Sequence, residues 1–470
     1  MSEHNVELGL FGLVANAVGV SEPALKLLLG VLAGYPFALI YRKYLFNQSE
    51  NRQCLYFISC GLVIGLWNYG FGMFHCLLAI LLTYLAVHFL KGLAMVAVVS
   101  AFNFTYLLAG YCYYSTDSYD ITWTMPYCIL VLRLMGVTFD VYDGTRPKEE
   151  LSSDALKTAL PQPPTLLQMF GHSLFPSACL VGPQFSMRRF LDFIGAQFHS
   201  KSPEGELLPP ESVNWALVRF SMGVFYLAFF QLLSLFVYDD YIISDDFASM
   251  GLIKRMIWLG VWGRFILYKY ISCWLFAEGA CILFGISHNG EENGVTQWNG
   301  VQNIKLSVFE NSTEFNHYIM SFNVNTNQWV AQHVYKRLKF LGNKHYSQGG
   351  VLLFLAVWHG LHSGYYVTFW HEFMVMLMER DLQSLIKSSP AADAFLKNPI
   401  VKALLQVVLR LYTFIFMGWS LLPFVYLKFP RYWKAFSNCS FAGVFVFYLW
   451  PILYGPLLRM MAKKRRKTQE

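Results

Sequence analysis

Long apolar runs separated by short polar breaks repeat along the chain, at the length scale of a bilayer rather than of a soluble core. The runs fall at 24–41, 54–69, 72–90, 93–114, 121–139, 168–185, 213–238, 252–285, 349–377, 401–428 and 434–460. Since about 20 apolar residues suffice for a helix to cross a bilayer, the pattern predicts ten or eleven transmembrane helices. The run 252–285 is long enough for two, whereas 168–185 is short and broken by Pro176 and Pro183. Between the runs lie two soluble connections rich in Pro, Glu and Ser, Asp143–Pro164 and His199–Ser212. There is no repeat of fixed period and no second, water-soluble domain, so the expected fold is all-α, one polytopic membrane domain over 1–470. The apolar stretch Leu8–Val20 would lie along the interface, and polar, acidic Met1–Glu7 argues against a cleaved signal peptide.

One region departs from this pattern. Ser321–Glu372 joins a polar, basic segment to an apolar one that carries His359 and His362 near its middle. An ionisable side chain at membrane depth is costly and defaults to a functional reading. If 349–377 is one continuous helix, His359, His362 and Tyr366 share a face, with Gly360 and Gly364 as a small-residue pair for close approach. Other charges in or beside apolar runs are Arg133, Asp140, Arg219, Arg264, Lys269 and Glu278. In lipid these must be paired or face a wet interior, which predicts a shell of helices around a central chamber.

Composition agrees with a membrane protein: 55% hydrophobic, 14% charged, 17% aromatic and mean hydropathy +0.39. Nine scattered cysteines show neither a CxxC pair nor a framework spacing, and read as small buried residues. Much of the formal +7 comes from Lys463–Lys467, so 463–470 is expected to be a basic cytoplasmic tail beside anionic lipid, not a nucleic-acid surface. Lys336–Lys344 is a cytoplasmic candidate by the same rule. That creates a conflict, because three apolar runs separate it from the tail and an even number of crossings is required. One of the three would have to be re-entrant or interfacial. Sequons at Asn47, Asn311 and Asn438 do not decide sidedness.

Asn323 lies in FNVNTNQW, closed by Trp329, and His359 follows 36 residues later in the pattern H-G-x-x-x-G-Y, supplied by His359, Gly360, Gly364 and Tyr365. Upstream, Gly182, Pro183 and Arg188 form a G-P-x-x-R-like segment. Three such motifs in this order resemble the membrane-bound O-acyltransferase family over nearly the whole chain. Phe322 stands where many relatives have Trp; the literal W-N pair, Trp298–Asn299, lies 60 residues before His359 and lacks the following run. The resemblance implies catalytic roles for His359 and Asn323, with Asn325 and Asn327 as alternatives to the latter. It also implies a reaction chamber within the shell and an endoplasmic-reticulum membrane location. Residues 298–338 are most similar to members that acylate lysophospholipids, implying transfer from acyl-CoA to the sn-2 hydroxyl of a lysophospholipid, lysophosphatidylcholine being favoured.

The chemistry suits these residues. A thioester is already activated, so the enzyme needs only a base on the acceptor hydroxyl and a donor for the developing oxyanion. An imidazole in apolar surroundings can be that base, and Asn323 can either hold the oxyanion or orient the acceptor. Lys336, Arg337 and Lys339 are candidates for CoA phosphates, with Trp329 as a substrate-lining residue; an ordinary positive-inside loop explains the cations equally well. No cofactor is expected beyond acyl-CoA as co-substrate. No metal is expected either, because the histidines near His359 lack a carboxylate or cysteine at compatible spacing. A homodimer is compatible with the chain. Rival readings are acylation of a sterol, diacylglycerol or peptide, and a lipid transporter that does no chemistry.

Overall fold

A computed structural model of the protein describes residues 9–17, 19–114, 116, 121–198 and 202–461; the basic run 463–467 lies outside them. Among the described residues the chain is helical almost throughout, with one two-residue hairpin, Glu291–Glu292 with Val295–Thr296, turned by Asn293 and Gly294. Eight helical stretches among the described residues are long and apolar enough to cross a membrane. They form two layers. Of the most apolar part of Thr124–Gly144 and Leu252–Phe284, 78% and 72% is buried, against 17% and 6% for Val213–Ser234 and Pro399–Tyr426. A helix apolar all round and buried is a core element; the outer two expose Leu217, Phe225, Leu404 and Val407 where lipid would be.

The run expected to hold two crossings is a single helix, Leu252–Phe284, of 33 residues. At about 1.5 Å per residue it spans ~50 Å, more than a bilayer's hydrocarbon thickness. It contains no proline to break it, and its glycines serve packing: Gly263 lies against the Gly418 backbone and Gly260 against the Phe414 ring. The charges that looked misplaced have partners. Arg219 pairs with Glu278 at 3.4 Å, Arg264 with Glu310 at 3.6 Å, and Thr158 donates to Asp140 at 2.7 Å.

The run 168–185 is not a crossing. It forms a short helix, Leu166–Ser173, then an irregular buried strap to Met187. Irregular backbone survives at membrane depth only where protein covers it and satisfies its polar groups. Here Arg133 does so, donating to the carbonyls of His172, Ser173, Ala178 and Pro183 at 2.9–3.3 Å. Pro183 of the G-P motif is thus held by a guanidinium, and Arg188 donates to Ala159 O at 2.9 Å.

The run 349–377 is not one helix either. Lys344–His359 ends at Gly360, whose φ +140°, ψ −170° only glycine adopts readily, and Ser363–Lys387 begins after His362. The two run antiparallel: His345 meets the Phe373 ring and Gln348 meets Met376 at one end, while His359 packs on Tyr365 at the other. His359, His362 and Tyr366 therefore do not share a helical face. Gly364 serves contact with a third helix, donating its N–H to Leu427 O at 2.9 Å, with no room for a Cβ beside Pro423 O. The hairpin returns the chain to the end at which it entered. Near its open end Asp381 pairs with Arg459 at 3.1 Å, so the last described turn lies at the same end as Lys344.

The cysteines are free, and all but Cys112 are buried or partly buried. Of the sequons, Asn438 is buried and donates to Ile242 O and Ser244 O, so it is not open to glycosylation.

Candidate active site

Asn323 sits where two segments cross. Ile304 bridges to Phe322, and the Phe322 ring packs on Trp274 and Phe309, 4.9 and 5.8 Å away, so an aromatic other than Trp fills that position. Asn323 then turns left-handed, φ +50°, ψ +45°, and starts the helix Val324–Val330. Asparagine is among the few residues that tolerate this conformation. Asn303 runs alongside: its carbonyl accepts Val324 N–H at 3.0 Å, and its side-chain Oδ1 accepts Asn325 N–H at 3.1 Å. Beneath it the Glu278 carboxylate accepts the N–H groups of Asn303 and Ile304 at 2.7 and 2.8 Å.

The three neighbouring asparagines differ in what their amides are free to do. Asn325 Nδ2 is occupied by Val301 O and Asn303 Oδ1, at 3.0 and 3.3 Å. Asn327 Nδ2 is occupied by Ile319 O and Phe322 O, at 2.8 and 3.0 Å. Asn323 accepts from Asn303 Nδ2 through its oxygen at 3.3 Å, and its NH2 group meets no partner among the described residues. Asn323 is also partly accessible, whereas Asn325 is buried.

His359 is the last residue of its helix. Its Nδ1 lies 2.8 Å from Leu355 O, and its ring is walled by Tyr365, Phe369 and Phe424 at 5.8, 5.1 and 5.3 Å. A carbonyl can only accept, so Nδ1 carries the proton and Nε2 presents its lone pair. Trp358 fixes the helix end, its indole donating to Cys128 O at 2.8 Å while its carbonyl accepts from Tyr111 at 3.0 Å. No hydrogen bond or ring contact joins His359 to Asn323 among the described residues. Their elements nevertheless run antiparallel: Ser347 bonds Leu338 O, Trp329 stacks on Phe354 at 5.9 Å, and the same course carries Asn323 and His359 to one end.

Trp329 lines the seam between these elements rather than an open surface. It is 9% exposed, its indole nitrogen is unpaired and lies against Gly136, and it packs on His333. The cations sit further along, past a π-helical turn, Ala331–Tyr335. Arg337 binds the buried Asp143 at 2.6 Å and covers the Phe139 ring, while Lys336 pairs with Asp154, whose carboxyl is held below its usual range chiefly by that lysine. Lys339 is exposed. The three do not form one cluster of unengaged charge.

Asn303 is the site residue that sequence reasoning passes over. Its motif, an asparagine in a polar stretch, has no distinguishing mark; Glu278, visible as a lone acid in an apolar run, is the only sign that something nearby must satisfy it.

The sequence profile of the family described as MBOAT, membrane-bound O-acyltransferase, matches residues 108–422, a span that contains the 182–188 strap, Asn323 and His359. Among curated proteins, the chain is 42% identical to lysophospholipid acyltransferase 5 of Drosophila melanogaster, over 98% of this chain and 92% of that protein. It is 40% identical to the Homo sapiens protein of the same name, over 97% and 93%. With its Caenorhabditis elegans counterpart it shares 33% identity, over 98% of each chain.

Proposed function

The chain belongs to the membrane-bound O-acyltransferase family, and from that premise we propose that it is an acyl-CoA-dependent lysophospholipid acyltransferase acting on the sn-2 hydroxyl, with lysophosphatidylcholine as favoured acceptor. Relatives named lysophospholipid acyltransferase 5 align over nearly the whole chain. The observation that carries the chemistry is the state of the two polar side chains: an imidazole with its lone pair free at Nε2 and an amide with its NH2 unoccupied, at the same end of adjoining elements.

In this reading His359 Nε2 takes the proton of the acceptor hydroxyl as its oxygen attacks the thioester carbon. The C=O becomes a tetrahedral oxyanion, which Asn323 Nδ2–H stabilises. The C–S bond then breaks, CoA leaves as thiolate, and the proton held on His359 passes to it. Neither a covalent acyl-enzyme nor a redox step is needed. Lys336, Arg337 and Lys339 would receive the CoA phosphates. Lys339 needs no rearrangement; the other two reach phosphate only by releasing Asp154 and Asp143. Trp329 would act by packing the wall between the two catalytic elements. The protein would work in phospholipid remodelling in the endoplasmic-reticulum membrane.

The test is mass spectrometry of products from purified protein given one acyl-CoA and a mixture of lysophospholipids, a sterol and a diacylglycerol. The reading expects acylated lysophospholipid, with lysophosphatidylcholine consumed first. Acylation of the sterol or diacylglycerol instead, or lipid movement with no CoA thiol released, would overturn it.

A further inference from the structure

We infer that Asn303 is a positioning residue that fixes which end of the Asn323 amide faces the reacting atoms, so that Asn323 acts as a hydrogen-bond donor to the thioester oxygen rather than as an acceptor for the incoming hydroxyl. The inference rests on the acyl-transfer reading.

An asparagine amide presents an oxygen on one side and an NH2 on the other, and nothing in its shape says which is which. Backbone groups supply the missing information, because they cannot exchange roles. The N–H of Asn325 can only donate, and it points at the Asn303 side chain from 3.1 Å. The atom there is therefore Asn303 Oδ1, and Asn303 must direct its NH2 the other way. That NH2 meets Asn323 at 3.3 Å, so Asn323 turns its oxygen inward and its own NH2 outward. The Asn325 side chain completes the anchor, linking Val301 O to the same Asn303 oxygen.

Asn303 is itself clamped. Its N–H and that of Ile304 end on one oxygen of Glu278, and the other oxygen faces Arg219 at 3.4 Å. Its carbonyl holds Val324 N–H, the first amide after Asn323. A buried carboxylate on the 33-residue helix thus fixes the backbone of Asn303, and the side chain of Asn303 fixes the orientation of Asn323. Preorganised donors contribute to catalysis because they need no reorientation when charge develops.

The experiment compares purified, reconstituted parent, Asn303→Asp and Asn323→Asp for kcat, for KM toward acyl-CoA and lysophosphatidylcholine, and for melting temperature, across pH 6 to 8.5. In Asn303→Asp the new carboxylate still accepts from Asn325 N–H but offers Asn323 an oxygen, which turns the Asn323 NH2 inward. The kcat of this variant should fall about a hundredfold or more, with both KM values and the melting temperature close to the parent's. Protonation of the new carboxyl restores a donor, so the activity of the variant relative to the parent at the same pH should rise toward acid. A merely structural role would move neither the kcat-against-KM split nor this ratio. Asn323→Asp leaves the anchor whole and presents an acceptor outward, so it should lose turnover likewise and recover relatively in acid. If Asn303→Asp does not fold, Asn323→Asp still decides whether Asn323 acts as the donor that the inference requires. Parental kcat in a folded Asn303→Asp, or in Asn323→Asp, overturns the inference, the latter together with the oxyanion role of Asn323, while leaving acyl transfer from acyl-CoA standing; a parent that releases no CoA thiol overturns both.

Discussion

Two nitrogens of one imidazole divide the work at His359. Because Nδ1 is engaged by Leu355 O, removal of the ring deletes the proposed base, while the surrounding Tyr365 and Phe424 still pack against each other. His359→Ala should therefore cost about a hundred- to ten-thousandfold in kcat, with acyl-CoA binding retained. His362→Ala, in the link between the helices, should cost far less; greater loss at His362 than at His359, in folded proteins, would reverse the assignment. The cations separate by the same kind of argument. Arg337→Ala leaves Asp143 buried without its charge partner, a loss of about 3–5 kcal/mol for breaking such a pair, so it should lower the melting temperature. Lys339→Ala removes an exposed charge and should raise KM for acyl-CoA with unchanged melting. An unchanged KM would remove Lys339 from the CoA path.

Elements were legible from the sequence in proportion to how far lipid alone dictates them. Runs such as 93–114 and 213–238 became helices close to their expected bounds, Gly92–Tyr114 and Val213–Ser234, because a lipid-facing segment has no other way to satisfy its backbone. The failures lie where protein replaces lipid. The strap after Ser173 is as apolar as a crossing, but the partner that lets it stay irregular, Arg133, is some 40 residues away in sequence. The hairpin at Gly360 looks like a continuous helix because its break is only three residues, 360–362, with a single glycine to mark it. Both devices predict losses. Arg133→Lys replaces five donors in a fork with three on a point, leaving buried carbonyls unmatched at about 1–3 kcal/mol each; its melting temperature should drop, and parental melting would show that water substitutes. Gly360→Ala forces a non-glycine residue into a region that costs about 1–3 kcal/mol. It also tilts His359 at the hairpin tip, so kcat should fall more than melting does. Equal and small effects on both would show that the tip can relax.

Across the whole molecule, an outer layer that exposes its apolar side chains encloses two inner helices that bury theirs, and the polar groups of the site hang on that inner layer. Asn303 is tied to the 252–284 helix through Glu278, and the His359 helix end is tied to the 124–144 helix through Cys128 O. The 36-residue spacing and family pattern single out Asn323 and His359 as a candidate pair; that their elements run antiparallel follows from a reversal at 336–344 that the sequence does not mark. The central claim is that this end performs acyl transfer. The most direct measurement takes purified parent and His359→Ala in lipid nanodiscs with one acyl-CoA and lysophosphatidylcholine, and follows free CoA thiol and phosphatidylcholine mass together. The parent should form the two in equal amounts, and His359→Ala should form neither while keeping its size and its acyl-CoA binding. Equal turnover by His359→Ala, or product formed without thiol release, would contradict the account.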